Sequence, residues 1–96
     1  MSPIKQKKLD KLRSQLDKLD NSFIKLVKKR TQLVKKVLEL KDYKNQIVDK
    51  KRIKIILSKV KRKSIKNKID PKITNRIWKN MIWSYINFER RNFKKK

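Results

Sequence analysis

The sequence predicts an all-α chain of three helices, the first of them unusually long. Three observations carry this reading. Apolar residues recur at alternating spacings of three and four from Leu9 to Leu40. Two later stretches repeat helical spacing behind an aspartate, and no stretch alternates with the period of two that marks a strand.

The first seam runs Leu9, Leu12, Leu16, Leu19, Phe23, Leu26, then Arg30, then Leu33, Val37 and Leu40. It implies one helix over about residues 5–42, on the order of 55 Å long at about 1.5 Å per residue. A three-helix chain of 96 residues cannot cover such a rod by itself. The seam therefore predicts helix pairing with a second copy of the chain. "DYKNQ", Asp42 to Gln46, breaks the pattern with turn-forming and polar residues.

Asp49 suits the N-cap of a second helix over about residues 49–65, with Ile53, Ile56, Leu57 and Val60 at helical spacing. "IDPK" is a stronger start. Asp70 can cap, and Pro71 fits the first helical position, where its missing N–H costs nothing. The third helix is expected over about residues 71–91, with Ile73, Ile77, Trp78, Met81, Ile82, Tyr85 and Phe88 apolar. No internal repeat or linker interrupts the chain, so one domain over residues 1–96 is expected.

Composition excludes several classes of chemistry. With no cysteine there is no disulfide framework, thiolate nucleophile or thiolate metal site, and with no histidine the usual neutral-pH base is missing. There is no glycine-rich phosphate loop and no evident carboxylate dyad. The opening "MSPIKQKKLDKL" lacks a signal peptide's apolar core, and no run approaches the roughly 18 apolar residues of a membrane span. A soluble cytoplasmic protein is expected, with no membrane partner.

The net charge of +24 invites a nucleic-acid reading. Its distribution argues otherwise. Lysine occurs in nearly every segment, as a general residue bias on solvent-facing positions would place it. Arginine, favoured for bidentate phosphate and base contacts, appears only seven times. A basic helical nucleic-acid-binding protein stays as an alternative of another class, and a coiled-coil scaffold as a third.

Charges on apolar faces are more informative. Arg30 occupies the seam, where a guanidinium must find an anion, form an interhelical ion pair or snorkel to water. Arg13 lies seventeen residues before Arg30 and Lys41 eleven after it, each close to a whole number of turns. The three share one side of the rod, yet Arg13 and Lys41 are about 40 Å apart by helical rise. One helix cannot bring both to a small ligand; an antiparallel second copy can. Glu89, one of two glutamates, shares a stripe with Trp78, Ile82 and Tyr85. A salt bridge to Arg90, Arg91 or a lysine is the plain reading of it. An enzyme made of these parts would bind anions and stabilise charge, in a reaction that needs neither nucleophile nor base.

These residues resemble the all-helical class of chorismate mutases, over nearly the whole chain. "LRSQLDKLD", Leu12 to Asp20, looks like the family's N-terminal "LRxxIDxLDxxLIxLLxxR" pattern, with Arg30 on its closing arginine. Lys41 matches the lysine that ends the long helix. "VDKKR", Val48 to Arg52, is similar to the Asp-x-x-Arg element of the second helix, and "IDPKITNRIWKNMIWSYINFE", Ile69 to Glu89, to the third-helix pattern.

The resemblance implies a homodimer intertwined through its long first helices, with Arg13 reaching into the partner's site. Arg30, Lys41, Asp49, Arg52, Tyr85 and Glu89 would serve their own. It implies chorismate as substrate, prephenate as product, a place in aromatic amino-acid biosynthesis, and no cofactor or metal. Two positions depart from the pattern. Ile53 stands where many members carry a glutamate, and Tyr85 where serine is frequent, with Ser84 one step out of register. Both departures are similar to the isochorismate-pyruvate lyases of the same fold, so the lyase reaction stays as an alternative.

Overall fold

The computed structural model describes residues 1–95. They form three α-helices in chain order: α1 (Pro3–Glu39), α2 (Lys50–Lys66) and α3 (Pro71–Asn92), with one turn of 3-10 helix at Lys44–Gln46 before α2. Among the described residues there is no strand. None of these helices is long and apolar enough to cross a membrane. The chain divides into two compact units, Met1–Leu33 and Val34–Lys96.

The first unit is helix almost throughout. α1 begins earlier than the seam alone suggests, because Ser2 and Pro3 form a start signal. The Ser2 hydroxyl accepts from the Lys5 amide at 3.2 Å, and Pro3 fills the first helical position. No residue of α1 is buried. Leu12, Leu16, Leu19, Phe23, Leu26 and Leu33 are each between 51% and 65% exposed, so the single chain leaves this apolar row facing solvent.

In the second unit, α1 ends at Glu39, about three residues before the expected end. Past it, the side-chain oxygen of Gln46 accepts from the amides of Asp42 and Tyr43, at 2.8 and 2.9 Å. Those amides, needed to extend the helix, point into a corner instead. α2 starts where Asp49 accepts from the Arg52 amide at 3.0 Å, and α3 where Asp70 accepts from the Lys72 amide at 2.9 Å with Pro71 behind it.

The core is small. Ile47, Ile82 and Ile86 are buried, with Leu38, Val48, Ile53, Ile56, Leu57 and Phe93 packed around them. Each fully buried isoleucine contributes about 1.5–3 kcal/mol. α2 and α3 pack against each other, and a buried polar link joins them. Ser64 Oγ lies 2.6 Å from Thr74 Oγ1 and 2.6 Å from the Val60 carbonyl, so its burial leaves no polar atom unsatisfied.

The connection from α2 to α3 closes in a Schellman motif, in which the Ile69 amide donates to Ser64 O and the Lys68 amide to Ile65 O. Lys68 has a φ of 57°, a left-handed conformation that glycine adopts freely and a residue with a Cβ does not. The chain has no glycine to place there. Lys68→Gly is expected to stabilise the fold by about 1 kcal/mol. In thermal unfolding at fixed protein concentration this raises Tm by about 4–8 °C.

Candidate active site

Lys41 and Glu89, far apart in sequence, meet in the second unit. Lys41 Nζ donates to Glu89 Oε1 at 2.9 Å, with the two side chains 18% and 7% exposed. The corner after α1 delivers the lysine, and the inward face of α3 delivers the carboxylate. Ile82, Ile86 and Glu89 are the three buried residues of α3, spaced four and three apart on one line. An ion pair this sheltered is retained at a cost in desolvation. It places a cation with three N–H donors beside a carboxyl group, a suitable arrangement for stabilising negative charge on a ligand oxygen.

Lys41 also lines an open cleft with Asn45, Gln46, Val48, Asp49 and Lys50. Asp49, expected both as a cap and as a ligand residue, caps α2 and stands at this cleft. Arg52 follows one turn later and is exposed; Tyr85 is half-buried one turn before Glu89. Two expected residues belong to the first unit, where Arg13 is exposed and Arg30 partly buried on α1. Ile53 is partly buried and packs against the isoleucine core, an apolar role that explains why it is no acid. Among the described residues no group of three potential metal ligands comes together.

Sequence reasoning did not single out Asn45, Gln46 or Lys50 for the cleft. They fall in and beside the "DYKNQ" turn, where hydrophobic periodicity says nothing. The only local signal is a glutamine three residues after Tyr43, the spacing at which a side chain can return to a backbone amide.

Comparison with known proteins places the chain in a family. The family model for chorismate mutase type II matches residues 12–90. The chain belongs to that family. The match spans the first-helix arginines, the Lys41–Glu89 pair, the Asp49 cap and nearly all of α3, so the resemblance read from four short motifs extends across the molecule. As a member of the chorismate mutases the protein is an isomerase, acting on chorismate. No curated protein and no solved structure matches the chain.

Proposed function

We propose that the protein works as a homodimer intertwined through α1, converting chorismate to prephenate for aromatic amino-acid biosynthesis in the cytoplasm. The observation that carries the site is the Lys41–Glu89 pair, sheltered beside a cleft that also holds Asp49. Dimerisation is supported by the exposed row on α1 and by its heptad-like spacing, which a second copy of the same helix covers.

The reaction is a one-step pericyclic shift in which an ether C–O bond breaks as a C–C bond forms. No proton need be removed and no covalent intermediate is made. The protein's part is to hold the substrate in its folded conformer and to meet the charge growing on the ether oxygen. Arg30 of one chain and Arg13 of its partner bind the two carboxylates, for which a guanidinium fork is suited. Arg52, Asp49 and Tyr85 complete the binding surface. Lys41 and Glu89 donate to the ether oxygen. A carboxylate accepts and does not donate, so a bond from Glu89 to that oxygen requires a carboxyl proton.

Ile53 and Tyr85, in place of a more usual glutamate and serine, favour one second reading: isochorismate-pyruvate lyase activity at the same site. Incubating the purified protein with chorismate and, separately, with isochorismate distinguishes the two. Prephenate from chorismate is the expected product. Pyruvate and salicylate from isochorismate, without prephenate from chorismate, would transfer the assignment to the lyase. Turnover of neither would remove both.

A further inference from the structure

Lys41 lies outside α1, in a corner whose backbone is not held by helical hydrogen bonds alone. Its amide donates to Leu38 O at 3.1 Å, the last tight turn of the chain before the corner. On the far side, Gln46 Oε1 accepts from the amides of both Asp42 and Tyr43. On the near side, Lys95 Nζ donates to Glu39 O at 2.6 Å and stands 3.7 Å from Asp42 Oδ1. The carbonyl two residues before Lys41 and the two amides after it are therefore each taken by a side chain. Both holders are anchored in the core: Ile47, next to Gln46, is 4% exposed, and Phe93 packs against the same cluster two residues before Lys95.

We infer that Gln46 is a positioning residue for Lys41, fixing the corner so that the ammonium group reaches Glu89, with Lys95 bracing the other side. The inference rests on the proposed catalytic role of Lys41. A single side-chain oxygen holding two successive amides sets the direction of the chain on leaving Lys41, and so where its Nζ can go. Displacing a catalytic group by about 1 Å is enough to cost on the order of 100-fold in rate. Lys95 is more exposed, and its ion pair with Asp42 is screened by water. Gln46 is therefore the residue to test.

Gln46→Ala is expected to lower kcat by about 10- to 100-fold with little change in KM. Gln46→Glu keeps an oxygen acceptor in the same place and is expected to restore most of kcat. Amide hydrogen exchange at Asp42 and Tyr43 should quicken in Gln46→Ala and return towards the parent rate in Gln46→Glu. In a Lys41→Ala/Glu89→Gln background, which carries no buried charge, Gln46→Ala should cause no further fall in kcat. An equal fall there would mean that Gln46 does not act through Lys41, and would overturn the inference. Parent-like kcat in Gln46→Ala, or unchanged exchange at the two amides, would overturn it as well. Parent-like turnover by the Lys41→Ala/Glu89→Gln protein itself would overturn the role given to Lys41, a separate failure.

Discussion

Lys41→Ala is expected to lower kcat by about 10²–10³-fold, the scale for removing one donor to a developing oxyanion. It also strips a buried carboxylate of its cation, and breaking a buried pair costs about 3–5 kcal/mol, a large part of a small domain's stability. Loss of activity in this variant alone would therefore mix chemistry with unfolding. Lys41→Ala/Glu89→Gln separates them. A neutral amide needs no counter-ion, so the double variant should recover the parent's helical signal in circular dichroism and keep the lowered kcat.

The second large effect concerns the dimer. Arg13→Ala and Arg30→Ala should each be almost inactive, because each site loses one carboxylate anchor, while both keep the helical signal of the parent. Co-refolding them in equal amounts should restore activity. In a mixed dimer, the chain with an intact Arg30 receives an intact Arg13 from its partner, so one site of two is whole. With random pairing about half of the dimers are mixed, and about a quarter of the parent's sites work. No recovery on mixing would mean that Arg13 acts within its own chain, or does not act in catalysis.

What could be read in the sequence divides along physical lines. Asp70 followed by Pro71 marked the start of α3 to the residue, because capping is local chemistry between near neighbours. The same kind of signal stands at Ser2 and Pro3, ahead of the apolar seam, which begins only at Leu9. The end of α1 was placed too late because a side chain, Gln46, takes the amides that would extend the helix, and periodicity does not report such competition. Ile47 and Ile86 were missed as core residues for different reasons. Ile47 lies in a turn with no period, while Ile86 stands four residues after Ile82 and three before Glu89, a spacing that helical periodicity does carry. Ser64 reads as helix surface, and its burial follows only from Thr74 standing opposite.

The site was legible to a different depth. Glu89 drew notice as an acid among aromatics, and a lysine was among its candidate partners. That the lysine is Lys41, forty-eight positions away, is a tertiary fact. No spacing rule relates α3 to the corner after α1; only the resemblance puts both residues in one site. Gln46 was invisible to either route. It contributes through backbone amides, and a motif of substrate-binding residues does not contain it.

The left-handed lysine between α2 and α3 bears on how this protein can change. A strained turn gives a chain one ready way to offset a harmful substitution elsewhere. Here one replacement, at a position remote from the corner and the cleft, would release strain without touching either. That reserve is comparable to the loss from a typical point mutation. A variant that altered the cleft's substrate preference at some cost in stability would have a compensating partner ready at residue 68, a single codon away from the fold it already has.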